Sequence, residues 1–249
     1  MSAPGVPRIV QAAGLTDAEL LELYEYPADV AAPWIRTNFV VSLDGATSTS
    51  GSSVGLTSPT DQRLMGLMRE LADVVLVGAG TIRTEDYIGI RVSDEGRERR
   101  LARGMATVPP IAVVTARADI DPESRLLTRT EVPPIILTTT TASTAAKRNL
   151  DAAGATVVEL GSTVVDTAAL SDALASLGLL RVICEGGPTL TGQLAADRAL
   201  DELCITTAPA VVGGVSHRVT YTDRNASLAM HCAHIIFDTD GVQFARWVR

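Results

Sequence analysis

Glu185-Gly186-Gly187-Pro188-Thr189-Leu190 puts a carboxylate, two glycines and a helix-starting proline into six consecutive residues. Glycines let a backbone approach a ligand closely, and a helix start directs unpaired N–H groups outward, so the pattern suits a diphosphate. Glu185 would stand at the rim of that turn, at the carboxyl end of a strand, where open α/β sheets hold their ligands. The same residues could also make an ordinary strand–turn–helix corner with glycines for tight packing.

Two other segments end strands in the same way. Ser42-Leu43-Asp44-Gly45 sets Asp44 near the carboxyl edge of the sheet, where a carboxylate in a desolvated pocket could donate or relay a proton; an Asp-Gly turn is the plain alternative. Gly78-Ala79-Gly80-Thr81-Ile82-Arg83 leads a strand into a glycine turn, with Thr81 able to cap it or bond a phosphate. It lacks the third glycine and downstream acid of a dinucleotide fingerprint. Arg69, Arg83 and Arg91 fall on or just after elements framing this edge and could hold a phosphate, or lie at the surface. Arg97-Glu98-Arg99-Arg100-Leu101-Ala102-Arg103 reads as a solvated loop or short helix. His231-Cys232-Ala233-His234 has no second ligand pair at finger-like spacing, so no metal is expected. Cys184 and Cys204 lie in apolar strands as small core residues, and three well-separated cysteines with Cys232 suggest no disulfide framework.

Alternating strands and helices must position these groups. Residues 1–14 read as a loose lead-in, and Thr16-Asp17-Ala18-Glu19 is a capping box opening a short helix through Tyr24. After Pro27 and Pro33 the first strand is expected at Trp34–Ser42, then a Gly/Ser/Thr-rich loop over Gly45–Ser58. A helix from Pro59 or Thr60 through Leu71 presents Leu64, Leu67, Met68 and Leu71 on one face. Apolar strands are expected at Val74–Gly78, Ile111–Thr115, Ile135–Thr139, Val157–Leu160, Arg181–Cys184 and Cys204–Pro209. Helical patterns at Ala145–Ala153, Thr167–Leu177 and Thr189–Ala196 separate several of them. Ala233–Phe237 and Val242–Val248 around Asp240-Gly241 form a terminal hairpin that adds antiparallel pairing at one edge. The sum is an α/β fold, a mostly parallel sheet with helices on both faces, in one domain over residues 34–249 behind a lead-in of residues 1–33.

With 249 residues, 46% of them hydrophobic and 4% aromatic, the chain can bury a full core. Its net charge of −8 argues against a nucleic-acid surface. No apolar run reaches the roughly 18 residues of a membrane helix. Met1-Ser2-Ala3-Pro4-Gly5 lacks the basic-then-apolar order of a secretory signal, so a cytoplasmic location is expected.

Taken in order, Ser42-Leu43-Asp44-Gly45, Thr57-Ser58-Pro59 with Arg69, Leu76 to Arg83, and Glu185 to Leu190 resemble one family. It is the reductase domain of the riboflavin-biosynthesis deaminase/reductase, together with the stand-alone pyrimidine reductases. Asp201-Glu202-Leu203, Ala208-Pro209 and Gly213-Gly214 match its closing section, so the likeness runs from about Trp34 to the C-terminus. The resemblance implies a dihydrofolate-reductase-like fold, NADPH and a homodimer. It implies reduction of 5-amino-6-(5-phosphoribosylamino)uracil by hydride transfer to C1′ of the ring-opened sugar imine. By position, Val40, Gly55, Thr57, Gly78, Ala79, Thr81 and Glu85 would contact the cofactor. The turn Gly186-Gly187-Pro188-Thr189-Leu190 would take its diphosphate, and Thr115 its adenosine end. Ser53, Arg69, Arg91 and Glu185 would contact the substrate, and Asp44 and Glu185 would be the catalytic pair, with Asp44 the proton relay beside the reaction centre.

The chain departs from that family over Glu85-Asp86-Tyr87-Ile88-Gly89-Ile90-Arg91, which is one residue shorter and lacks the usual proline. The deaminase motif, His-x-Glu with Pro-Cys-x-x-Cys, does not occur, so the preceding deamination is not expected. Two other functions stay open: a reductase of another substrate such as dihydrofolate or another pterin, and a non-catalytic NADPH-binding protein.

Overall fold

The computed structural model describes residues 7–225 and 227–249. Its strands are β1 (Arg8–Gln11), β2 (Trp34–Ser42), β3 (Val74–Gly78), β4 (Ile111–Val114), β5 (Ile135–Thr138), β6 (Thr156–Glu159), β7 (Arg181–Cys184), β8 (Glu202–Ala208), β9 (His231–Phe237) and β10 (Gln243–Val248). Its helices are α1 (Asp17–Leu23), α2 (Pro59–Leu71), α3 (Ala79–Thr84), α4 (Asp94–Ala102), α5 (Arg125–Thr128), α6 (Thr144–Ala152), α7 (Thr167–Ser176) and α8 (Pro188–Ala196). The strands form one sheet in the order β1-β9-β10-β8-β2-β7-β3-β4-β5-β6. Only β10 runs against the others, because the hairpin β9–β10 joins β8 through antiparallel pairing while every other neighbouring pair is parallel.

Apolar strands alternate their side chains between two cores. Val75 and Val77 face the core shared with Leu64, Leu67 and Met68 of α2, whereas Val74 and Leu76 face Leu170 and Leu174 of α7 and Leu194 of α8. Ile183 and its neighbours Val182 and Cys184 divide the same way. Burial on both faces is the reason these strands read as continuous apolar runs.

The expected α/β class, the helix-covered parallel sheet and the C-terminal hairpin are all present. Three expectations need correction. Part of the supposed lead-in is a strand: Arg8–Gln11 pairs in parallel with His234–Phe237, so the sheet extends one strand beyond the hairpin, and β2 is the second strand. Residues 1–6 of that lead-in lie outside the described residues. The Arg-rich run is a short helix, but Arg100 is buried, 1% exposed, and donates to the carbonyls of Arg69, Glu70, Ala72 and Ala106. Five N–H donors on one planar group satisfy carbonyl ends that a loop leaves unpaired. Gly78-Ala79-Gly80 is not a free turn, because Gly78 is the N-cap of α3 and the helix begins at Ala79.

The segment before β2 is structural. Thr16 and Glu19 form the expected capping box, and Leu20, Leu21, Tyr24 and Tyr26 are buried. Tyr26 stacks on the guanidinium of Arg36, 4.1 Å from its ring centre. Arg36 and Arg246 both pair with Glu202, which is fully buried. His234 packs edge-on against Tyr24 and is buried, whereas His231 is exposed, so the two imidazoles of the His231–His234 segment do not share an environment.

Candidate active site

The two glycine-bearing strand ends are one structure. Gly78 donates to the carbonyl of Gly186 at 2.7 Å, and Glu185 donates its N–H to Leu76 at 2.9 Å. A Cβ on Gly78 would lie 3.4 Å from the nitrogen of Gly187, and one on Gly187 only 2.8 Å from Oγ1 of Thr81. Gly186 has φ +91° and the ring of Phe39 where a Cβ would go. Close packing, against backbone at Gly78 and against side chains at Gly186 and Gly187, requires these glycines rather than loop flexibility. The Gly186–Gly187 peptide is cis. Beyond it α8 begins with Gly187 as an N-cap without a side-chain cap and Pro188 in the first turn. The first-turn N–H groups are therefore left for a ligand.

This double turn opens on a cleft of about 1070 Å³. Most expected contacts line it: Val40, Ser53, Thr57, Arg69, Gly78, Ala79, Thr81, Glu85, Arg91, Thr115, Glu185, Gly187, Pro188, Thr189 and Leu190. Three do not. Gly186 is buried beneath the turn, and Gly55 lies where a Cβ would collide with Oγ1 of Thr49, at 2.2 Å, so both shape the backbone. Asp44 is the third, and its placement is a correction. It is exposed, and its carboxylate accepts from Ser42 Oγ at 2.5 Å and from the backbone N–H groups of Val212 and Gly213 at 3.1 and 2.8 Å. Those hydrogen bonds, Ser42's first, pull it down to about 2, so it stays ionised and fastens the segment after β8 instead of facing a desolvated pocket.

Arg69 and Glu185, expected as separate substrate contacts, bind each other. The guanidinium meets the carboxylate in a two-pronged pair at 2.6 and 2.7 Å, and the Tyr87 hydroxyl donates to the same carboxylate at 2.7 Å. Burial alone would raise Glu185; the charge and hydrogen bonds of Arg69, with Tyr87, hold it below the usual carboxylate range. Tyr87 is pushed well above its ordinary value by burial, then by the charge of Glu185, and keeps its proton. Glu85 accepts from Ser52 Oγ and from the N–H of Ser53, each at 3.0 Å, and so draws the Gly/Ser/Thr loop onto the short segment after α3. Thr115 is buried with its hydroxyl on Asp119 at 2.8 Å, and Asp119 also pairs with Arg83 and Arg117. Arg91 is exposed at the cleft.

Sequence reasoning missed Tyr87, Asp61 and His217, all of which line the cleft. Tyr87 sits within the departing stretch Glu85–Arg91, and the departure was itself the signal. Asp61 stands eight residues before Arg69 on the same helix, which the periodicity could have shown. No sequence signal marked His217. It arrives on the long segment between β8 and β9, where Thr47 donates to its carbonyl and Tyr221 donates to Pro188.

A family model described as the RibD C-terminal domain matches residues 33–244. The chain belongs to this family. It is 29% identical over 183 residues to the 2,5-diamino-6-ribosylamino-4(3H)-pyrimidinone 5′-phosphate reductase of Archaeoglobus fulgidus, covering 73% of this chain and 83% of that one. It is 27% identical over 184 residues to the riboflavin biosynthesis protein RibD of Mycobacterium tuberculosis, covering 73% of this chain but 44% of that longer protein. A crystal structure of a pyrimidine reductase-like protein from Corynebacterium diphtheriae shares the fold, with a TM-score of 0.83 at 22% identity over 94% of this chain and 98% of that one. The resemblance in the strand-end motifs therefore holds as family membership. Among the described residues no helix is long and apolar enough to cross a membrane.

Proposed function

We propose that this protein is an NADPH-dependent oxidoreductase of riboflavin biosynthesis, reducing a phosphorylated ribosylaminopyrimidine to its ribitylamino product. The observation that carries the proposal is the shared cleft, onto which the glycine-bearing double turn and the Glu185–Arg69–Tyr87 cluster both open. The names of the family's reductases support the same substrate class.

The residues fit the cofactor, because α8 starts at the cleft wall with no side-chain cap, leaving its first-turn N–H groups beside the lining residues Gly187, Thr189 and Leu190. NADPH supplies the hydride when bound. Gly78, Ala79, Thr81 and Gly187 to Leu190 would hold its diphosphate, with Val40, Thr57 and Glu85 nearer the reacting end and Thr115 at the adenosine. Glu185, fixed by Arg69 and Tyr87, orients the ring-opened sugar so that C1′ of the imine faces the cofactor. Arg91 and Ser53 receive the sugar phosphate, a role Arg69 can only share while it serves Glu185. The loop held by Glu85 limits water at the cleft. The imine nitrogen must also gain a proton, and Asp44, ionised and turned to the segment after β8, is not positioned to give it. A homodimer in the cytoplasm, with no nucleic-acid or membrane partner, completes the proposal; the net charge of −8 supports the absence of a nucleic-acid partner.

The test is loss of NADPH absorbance with the ribosylaminopyrimidine 5′-phosphate in its diamino and deaminated forms, with dihydrofolate in parallel. Turnover on either ribosyl phosphate supports the proposal. Turnover on dihydrofolate alone, or NADPH binding without any turnover, replaces it with one of the two other functions left open by the sequence.

A further inference from the structure

Asp61 is the one acidic residue of α2 that lines the cleft, and it has no part in the machinery above. Only 6% of it is exposed. Asp61, Met65 and Arg69 recur at four-residue spacing and all three line the cleft, so one stripe of α2 carries the carboxyl at one end and the partner of Glu185 at the other. Eight residues of helix span about 12 Å along the axis, and helical side chains lean toward the N-terminus, which brings the Arg69 head back toward Asp61. That interval is comparable with a pyrimidine ring and the first carbons of its sugar.

The surroundings of Asp61 are short of donors. Its backbone N–H is capped by Ser58 Oγ at 3.1 Å, and the Thr206 hydroxyl on β8 is the side-chain donor to its carboxyl. No cation offsets the burial, which raises the carboxyl above its usual range. A first-turn acid is favourable to a helix, but the helix alone does not require it to be buried at the wall of a ligand-sized cleft. A carboxylate so placed suits a ligand that brings N–H donors to its cleft side.

We infer that Asp61 reads the pyrimidine edge and makes this protein select the 2-amino, undeaminated substrate over its deaminated counterpart. The inference rests on the function proposed above and deepens it. In 2,5-diamino-6-ribosylamino-4(3H)-pyrimidinone the 2-amino group and N3–H lie side by side, two donors matched to the two oxygens of one carboxylate. Deamination replaces the amino group by a carbonyl, so N3–H becomes flanked by acceptors and one carboxylate oxygen faces a carbonyl oxygen. A site built to bond a donor rejects the analogue lacking it, because its own buried group is left unpaired. Asparagine at the same position offers one donor and one acceptor, the complement of the uracil edge.

The experiment compares wild type with Asp61→Asn and Asp61→Ala in the NADPH-loaded protein. Ligand-observed NMR titrations would use two sugar-free probes, 2,6-diaminopyrimidin-4(3H)-one and 6-aminouracil, and initial rates would use both ribosyl phosphates. Wild type should favour the diamino probe by about tenfold or more, and should show the corresponding lower KM on the diamino phosphate. Asp61→Asn should reverse the order of the probes, and Asp61→Ala should abolish the preference; both should keep wild-type NADPH affinity as a control for folding. Reversal cannot come from a merely damaged fold. Equal binding of the two probes to wild type, or a preference unchanged in Asp61→Asn, overturns the inference even if the enzyme is active. If wild type discriminates the probes yet reduces neither phosphate, the edge recognition stands and the proposed reaction falls.

Discussion

At the residue scale, the two carboxylates expected to be catalytic, Glu185 in the cleft and Asp44 outside it, have environments that fix different uses for them. Glu185 is buried, paired with Arg69 and kept ionised; Asp44 is exposed and kept ionised by hydrogen bonds. Glu185→Gln should leave the Arg69 charge without its counter-ion and lower stability at neutral pH by about 2–3 kcal/mol, less than for a fully buried pair because Arg69 keeps 19% of its side chain exposed. Since the folded-state value of Glu185 is depressed, its contribution is present above the ordinary carboxyl range and disappears as the pH falls through the folded value. Thermal midpoints should therefore fall less on acidification in the variant than in wild type. An identical acid dependence would show that the pair does not hold the charge. Asp44→Asn should reduce turnover less than tenfold and leave NADPH affinity unchanged, while hydrogen exchange quickens at Val212 and Gly213. A drop of about 10²-fold or more with unaltered exchange would return Asp44 to the proton path. Its type and strand-end position were legible in the sequence; its orientation was not, because that depends on Val212 and Gly213, which are almost 170 residues away.

At the scale of elements, the sequence was most informative where local chemistry sets a boundary. The capping box of α1, the proline-started helices α2 and α8 and the apolar runs of β3 and β7 fall where their residues predict. What stayed hidden was long-range packing. Nothing near Gly186 announces that Phe39 fills the space of its missing side chain, or near Gly192 that the backbone of Tyr221 crosses it within 2.3 Å of a Cβ. The two classes of glycine should respond oppositely to alanine. Gly186→Ala, at φ +91° and 2.8 Å from the Phe39 ring, should cost about 1–3 kcal/mol and weaken NADPH binding by about tenfold or more. Gly66→Ala, within α2 and with nothing near its Cβ, should raise stability by about 0.5–1 kcal/mol. Denaturant unfolding and cofactor titration of the two variants would check both signs. Equal effects would mean that backbone freedom, not the close approach at β7–α8, explains the turn.

At the scale of the whole molecule, the segment before β2 decides whether residues 34–249 are a unit. The sequence reading set residues 1–33 apart because local signals ended at Pro27 and Pro33, and no periodicity in four residues could reveal β1 docking on β9. In the fold, Leu20, Leu21, Tyr24 and Tyr26 join the same core as α2 and β3. Tyr26 covers Arg36, whose carboxylate partner Glu202 has no exposed surface. Removing that cover would leave a buried ion cluster half wet and a large apolar face open, and a core this size tolerates neither. Deleting residues 1–12 takes away, among the described residues, the edge strand β1 and its flanking residues, Ala12 included, so the protein should still unfold cooperatively, with a lower midpoint and more self-association through the uncovered edge of β9. Deleting residues 1–33 should instead give a chain without a cooperative transition. Calorimetry and size-exclusion chromatography of the two truncations would separate these outcomes. A truncation at residue 33 that melts cooperatively near the wild-type midpoint would establish 34–249 as a self-sufficient domain and reduce α1 to an appendage.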